Sequence, residues 1–186
     1  MKDADCREPE EGWSIRRAAE ACLLVCYGYD FKTSQDGGEI RFECKTAFGT
    51  TLYSQFVIHD VERVLRLYVH LWRDYPKPKK RWVEKLVSFL NLEVAVFGFF
   101  AMGENGSVFF QSAIDFANIP IDPSAVKEMM NKAAFPITVF EKAFARIDTP
   151  EVGPIDAVLA ALVETDAYRW DDVSTSTRKA LLKVVK

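Results

Sequence analysis

The chain has 186 residues, of which 49% are hydrophobic, 13% aromatic and 27% charged, and its formal net charge is -3. This length suits one domain of roughly 100 to 200 residues. The apolar content excludes a disordered chain, because burying that surface can offset the entropy lost when the backbone is ordered. A chain without a basic excess is also a poor candidate for binding nucleic acid.

The N-terminus predicts a cytoplasmic protein. Residues 1–12 are mostly charged and lack the apolar core of a secretory signal. The longest uncharged run, 46–59, and the most apolar run, 94–103, are both shorter than the roughly 20 residues that span a bilayer, so we expect no membrane insertion. The cysteines are too few and too irregularly spaced for a disulfide framework, and we interpret them as reduced thiols. They are Cys6, Cys22, Cys26 and Cys44.

The N-terminal half predicts one helix followed by four strands. Ser14 is a candidate N-cap, and apolar residues then recur at helical spacing as far as Gly28. A short strand over 29–34 precedes a turn at 36–38. Three strands of period two follow, over 39–45, 51–59 and 63–72. In the last of them one face is aliphatic, and the opposite face carries Arg66, Tyr68, His70 and Trp72.

The middle of the chain predicts a helix and a hairpin. Pro76 and Pro78 end the fourth strand, and a basic cluster over 77–81 leads into a helix that ends near Asn91. Two apolar segments, 92–102 and 107–116, then flank Glu104-Asn105-Gly106, and an Asn-Gly pair between apolar runs is a strong hairpin signal. Because both segments are apolar on both faces, we expect this hairpin to lie in the middle of the sheet or to meet a partner.

A long helix and a tail complete the predicted elements. Asp122 is a candidate N-cap with Pro123 at the first helical position, and Pro136 should kink or restart the helix. A linker begins at Asp148, and two short helical patterns follow, over 155–163 and 175–185.

These elements predict an α+β fold. We expect an antiparallel sheet of about five to six strands flanked by an N-terminal helix, a middle helix and a long kinked helix. We place one domain at residues 1–147, and we treat residues 148–186 as a linker and a helical appendage.

No sequence motif carries recognisable chemistry. The chain has neither a phosphate-binding glycine loop nor a serine nucleophile elbow. A zinc site built from His59 and His70 with Cys22, Cys26 and Cys44 is disfavoured by the spacing of these residues. A nucleophile pair of Cys44 with either histidine has no motif to support it. We therefore expect no enzymatic activity, no metal and no cofactor.

The row Arg66, Tyr68, His70 and Trp72 is the strongest candidate for a binding surface. Aromatic side chains interleaved with a cation and an imidazole suit contact with another protein. The alternative is that a helix covers this face, because Trp and Tyr are largely buried in most proteins.

The order of these elements resembles the YbjN-type family and the wider class of folds shared with type III secretion chaperones. The resemblance covers residues 14–147, although Pro136 interrupts the pattern and the tail lies outside it. The residues that carry it are the strand pair Phe56 to Trp72, Pro76, Val83, Leu86, Leu90, Asn91, Phe97, Phe99, Glu104-Asn105-Gly106, Val108, Phe110, Pro123, Val126, Met129 and Phe140 to Phe144.

The resemblance implies a non-enzymatic protein, either a chaperone-like binder of a partner polypeptide or a regulator of the sensory-transduction type, and a homodimer. A second hypothesis is a small-ligand binding module with an aromatic pocket, or a dimer interface, at Phe97, Phe99 and Phe109 beneath the hairpin. An enzyme with dispersed catalytic residues stays open, and a pocket that contains two or more acids of perturbed pKa, or His70 beside Cys44, would support it.

Overall fold

The computed structural model describes residues 12–46, 49–72, 79–104 and 106–165, with the side chain of Trp72 excepted. The helices are α1 (Ile15–Ala21), which continues as a π-helical segment (Cys22–Tyr27), α2 (Lys80–Glu93), α3 (Pro123–Phe144) and α4 (Pro154–Glu164). The strands are β1 (Phe31–Thr33), β2 (Glu39–Lys45), β3 (Thr51–His59), β4 (Val64–Trp72), β5 (Phe99–Met102) and β6 (Val108–Asp115). The helix predicted over 175–185 lies outside the described residues.

The six strands form one antiparallel sheet in the order β1-β2-β3-β4-β6-β5. The predicted α+β class with an antiparallel sheet is therefore confirmed. The predicted position of the hairpin is correct only for β6, which lies between β4 and β5, because β5 is an edge strand. The β5 strand also begins at Phe99 rather than near Leu92, since α2 continues to Glu93 and a turn follows it.

The outer edge of β5 is capped by a side chain from α2. The Asn91 amide nitrogen donates to the carbonyl oxygen of Phe100 over 2.8 Å, and the Phe100 backbone N–H donates to the Asn91 Oδ1 over 2.6 Å. Both backbone groups that Phe100 presents away from β6 are thus satisfied. An exposed strand edge invites pairing with another chain, and this contact closes that part of the edge.

Local signals set the ends of two helices as predicted. The Ser14 hydroxyl accepts the Arg17 N–H at the start of α1, and Gly28 ends the π-helical segment with a φ of 64°, a conformation that favours glycine. At the start of α3 the Asp122 carboxylate accepts the backbone N–H groups of Ser124 and Ala125. These caps fix where the helices begin against the sheet.

The helix does not restart at Pro136, because α3 runs as a single helix through that residue, and the predicted kink stays a prediction. Proline lacks the N–H that would bond to the preceding turn, which costs helix stability. Here Pro136 is one of the buried residues of α3. Burial of its ring offsets part of that cost.

The helices pack on one face of the sheet. Inward-facing side chains of the strands, among them Ile40, Phe56 and Leu67, form one core with the buried faces of all four helices. The α4 helix contacts α3 and α2, and its end is held by ion pairs to Glu164 from Lys142 of α3 and from Arg146 in the turn after α3. Its buried side chains are Ala157, Val158, Leu159, Ala161 and Leu162.

Candidate functional site

The side of the sheet opposite the helices is the candidate site, and we call it the outer face. It consists of the strand residues that alternate with the buried rows. Its central members are Arg41, Tyr53, Gln55, Val57, Arg66, Tyr68, His70, Phe99, Phe109, Gln111 and Ala113.

None of the described helices covers the outer face. None of its central members belongs to the buried core or to the apolar residues packed against that core. The alternative in which a helix buries Tyr68 and its neighbours is therefore not realised within the described ranges. Arg66 and Ala113 are exposed, and Phe99 keeps 46% of its surface accessible.

Strand register brings three aromatic rings and an imidazole together at the centre of this face. Tyr53 of β3 lies opposite His70 of β4, which in turn lies opposite Phe109 of β6. The ring centroids are 5.5 Å apart for Tyr53 and His70, 6.4 Å for His70 and Phe109, and 6.1 Å for Tyr68 and Phe109. We call Tyr53, Tyr68, His70 and Phe109 the aromatic cluster.

Polar and charged groups surround the aromatic cluster. Arg41 lies on β2 with its guanidinium bound to the Glu39 carboxylate at 2.6 Å. Arg66 lies on the central strand β4 between Val57 and Ala113 of the neighbouring strands, and it makes no ion pair with a described residue. An aromatic centre with a charged rim is the composition of protein interfaces.

The structure brings the two sequence-predicted sites partly together. Arg66, Tyr68 and His70 share the outer face as predicted, and Trp72 follows them across a β-bulge, although its side chain lies outside the described residues. Phe109, predicted as part of a separate pocket, joins this face beside Tyr68 and His70.

Phe97 and Phe99 line a groove of about 370 Å³ at the start of β5, and Phe109 does not. Phe97 lies in the turn before the strand and is 55% exposed, with the Lys132 ammonium 4.3 Å from its ring centroid. Met129 of α3 and Ile119 complete the apolar lining of this groove. The three phenylalanines therefore do not form one pocket.

Cys44 and the two histidines lie on opposite sides of the sheet. The Cys44 side chain points toward α3, whereas His59 and His70 occupy outer positions of β3 and β4. Burial raises the pKa of the Cys44 thiol, and the Ser54 hydroxyl acts in the opposite direction. The sheet separates the thiol from both imidazoles, so they cannot form a nucleophile and base pair.

Within the described ranges, no three His, Cys, Asp or Glu side chains are grouped to hold a metal ion. Cys22 is buried in the π-helical segment, and Cys26 is half-buried on it. Of the helices that the structure describes, none combines the length and the apolar character needed to cross a membrane.

Two residues that matter here were not singled out from the sequence. Tyr53 joins the aromatic cluster, and the alternation of β3 was enough to place it on the outer face. Ser54 is fully buried at an inward position between Leu52 and Phe56. A polar residue at an inward position of a strand is the sequence signal for this site, because Ser54 lines the cavity between α3 and the sheet.

Fold and face together define an α+β protein whose antiparallel sheet is covered by helices on one side and carries an aromatic cluster on the other. No protein-family model matches the sequence, and no curated protein matches it. The chain is similar to a chain from the crystal structure of the ExsC-ExsE complex, with 8% identity and a TM-score of 0.39. The match covers 63% of this chain and 84% of that chain. Such a distant likeness assigns no function, and membership of the YbjN-type family stays a prediction.

Proposed function

We propose that this protein binds a partner polypeptide on the outer face of its sheet and has no enzymatic activity of its own. In this role it acts in the cytoplasm as a chaperone-like binder or as a regulator of the sensory-transduction type. Pairing with a second copy, which the YbjN-type resemblance implies, is part of the same proposal. The observation that carries it is the aromatic cluster on a sheet face that no described helix covers.

The aromatic cluster supplies the apolar centre that a stable interface needs. Tyr, Trp and Arg dominate the binding energy of protein interfaces, because large rigid side chains bury much area at little entropic cost. Tyr53, Tyr68 and Phe109 are held in place by the backbone of a six-stranded sheet. Little ordering energy is therefore needed when a partner binds.

Arg66 indicates the chemistry of the partner. Its guanidinium lies on an exposed part of β4 between Val57 and Ala113, and no described carboxylate pairs with it. A partner that covers Tyr68 also desolvates Arg66, and an unpaired desolvated charge is costly. The partner segment should therefore present apolar side chains to the aromatic cluster and a carboxylate to Arg66.

The β5 edge is a less suitable place for the partner. Strand addition requires free backbone N–H and C=O groups at an edge. On β5 the side chain of Asn91 occupies those groups at Phe100. Contact through the face, rather than an added strand beside Phe100, is the mode that this geometry favours.

The proposal is tested by affinity capture from the native cytoplasm with matched variants. Tyr68→Ala/Phe109→Ala removes two rings of the aromatic cluster, whereas Leu92→Ala/Phe135→Ala removes exposed apolar surface elsewhere. All variants must first show melting temperatures close to that of the parent. We expect the parent and the control pair to retain one near-stoichiometric partner, and the cluster variant to lose it.

The captured partner is then titrated against the purified variants. Loss of the cluster should weaken binding at least about tenfold, as expected for interface hot spots. Arg66→Glu should weaken it by a similar factor, while Arg81→Glu, the same charge reversal on exposed α2, should not. Equal binding by all variants would refute the outer-face site. Light scattering on each variant reports separately whether the protein pairs with itself.

A further inference from the structure

We propose that the cavity between α3 and the helix-facing side of β2 to β4 is a binding site for a small neutral ligand, a single ring or short chain with one hydroxyl group. This inference does not depend on the outer face. The cavity measures about 200 Å³. Its lining includes Ser54, Leu67 and Val69 from the sheet and Met130, Ala133 and Ile137 from α3.

The cavity exists because small side chains face one another. Ser54 of β3 lies in register between Phe42 and Val69, and it is the only small polar residue among the inward positions of that strand. Ala133, 2% exposed, lies on the facing helix. Protein interiors otherwise pack at the density of organic crystals, and the small side chains at these two positions leave a partly open space between the helix and the sheet.

The size of the space sets the size of the ligand. An apolar cavity of about 150 Å³ is enough to bind benzene, whereas sites for drug-sized ligands begin near roughly 300 Å³. The present cavity falls between these values. A single ring or a short chain therefore fits, and a fused multi-ring ligand or a nucleotide does not.

A buried hydroxyl gives the cavity one polar anchor. The Ser54 side chain is fully buried, and its Oγ lies 3.3 Å from the Sγ of Cys44. A thiol is a weak hydrogen-bonding partner, and a hydroxyl can donate once and accept twice. Ser54 therefore keeps capacity for a ligand group, which would satisfy a polar atom that is costly to leave in an apolar space.

The tyrosine and cysteine side chains that line the cavity are neutral near pH 7, and Glu141, which acts on the Cys44 thiol, is not part of the lining, so the ligand should be uncharged. Burial raises the pKa of Tyr27 to about 12, with Cys22, Cys26 and Tyr29 adding to the effect. It also raises the pKa values of Tyr29 and Cys44. Lys45 also lines the cavity, but from an outward-facing, exposed position of β2. A charged ligand would lose its hydration without gaining a buried counter-ion.

Aromatic side chains form one wall of the cavity, which is partly open to solvent beside the exposed Asn131 and Ala134. Tyr27, Tyr29 and Phe42 line both the cavity and a surface groove beside it, so they form the wall between the two. Their rings are stacked, with centroids 5.4 Å and 6.3 Å apart along the series. The Tyr27 hydroxyl donates to Asn131 Oδ1 of α3 over 2.8 Å, which joins this wall to the helix.

The test measures binding of two probes, phenol and benzene, to the purified full chain by calorimetric titration and by NMR. We expect the parent to bind both probes, phenol more tightly. Ser54→Ala keeps the space and removes the hydroxyl anchor. It should therefore weaken phenol binding by about fivefold and leave benzene binding nearly unchanged. Ala133→Phe places a ring in the space from the facing helix and should abolish binding of both probes.

Two further measurements keep the result interpretable. In the parent, contacts between probe protons and the methyl groups of Leu67, Val69 and Ile137 should place the probe even if a Ser54 variant folds poorly. The Tyr68→Ala/Phe109→Ala variant should bind phenol as the parent does, because its changes lie on the other side of the sheet. No binding by the parent up to the solubility of the probes, or equal binding by Ala133→Phe, would overturn the proposal.

Discussion

Substitution of Asn91 by alanine should destabilise the protein by removing the cap on the β5 edge. Two hydrogen bonds join the Asn91 amide to the backbone of Phe100. Each contributes about 1 kcal/mol net, and alanine recovers about 0.5 kcal/mol through its higher helix propensity in α2. The expected loss is about 1.5 kcal/mol, which lowers the melting temperature by roughly 3 to 6 °C in a domain of this size.

Urea unfolding measures this loss as a lower midpoint at an unchanged m value. Ser88→Ala is the matched control, since Ser88 is exposed on the same helix. The stability of Asn91→Asp should lie between those of Asn91→Ala and Ser88→Ala, because a carboxylate still accepts the Phe100 N–H but repels the Phe100 carbonyl oxygen. Faster hydrogen exchange at Phe100 should accompany the loss. If Asn91→Ala and Ser88→Ala unfold within about 0.3 kcal/mol of each other, the cap does not contribute to stability and the reasoning fails.

Three further predictions follow from polar groups in the structure. Burial raises the pKa of Glu141, although the hydroxyls of Thr46 and Thr50 act in the opposite direction. The folded state therefore holds the proton of this carboxyl group more tightly than the unfolded state does. Stability consequently falls as the pH rises above the ordinary pKa of 4.5. Glu141→Gln should therefore raise the melting temperature more near pH 7 than near pH 4. Tyr27, with its pKa raised to about 12, should make stability fall between about pH 10 and 12, and Tyr27→Phe should flatten that fall in urea titrations. Asp122→Ala should cost about 1 kcal/mol through loss of the α3 cap, measured by urea unfolding.

Each of these predictions has an outcome that contradicts it. A Glu141→Gln gain that is the same at both pH values would show that the carboxyl group titrates normally. An unchanged alkaline profile in Tyr27→Phe would assign the fall to other groups. For Asp122, the Asp122→Asn variant keeps the capping oxygen, so a loss as large as that of Asp122→Ala would point away from capping.

Much of the fold could be predicted because its signals are local. The strict alternation in β3 and β4 gives both strands within a residue of their bounds and assigns their inward faces. Side-chain caps at Ser14 and Asp122 act within three residues, so the sequence shows where α1 and α3 begin. Such signals need no knowledge of distant contacts.

The remaining features depend on contacts between distant parts of the chain. The apolar run from Leu92 suggested a long strand, yet Leu92 and Val96 are 81% and 79% exposed around the end of α2. Phe109 meets Tyr68 only through the pairing of β4 with β6, which local periodicity does not specify. The cavity at Ser54 likewise requires α3 to lie across the sheet.

The most direct test of the central claim is hydroxyl-radical footprinting of the protein alone and with its captured partner. Our account predicts that Tyr53, Tyr68 and Phe109 react in the free protein and become protected several-fold in the complex. Phe135 and Leu92, exposed on the helical side and at the end of α2, should react equally in both samples. Protection confined to those two residues, with the aromatic cluster unchanged, would contradict the proposal that the partner binds the outer face.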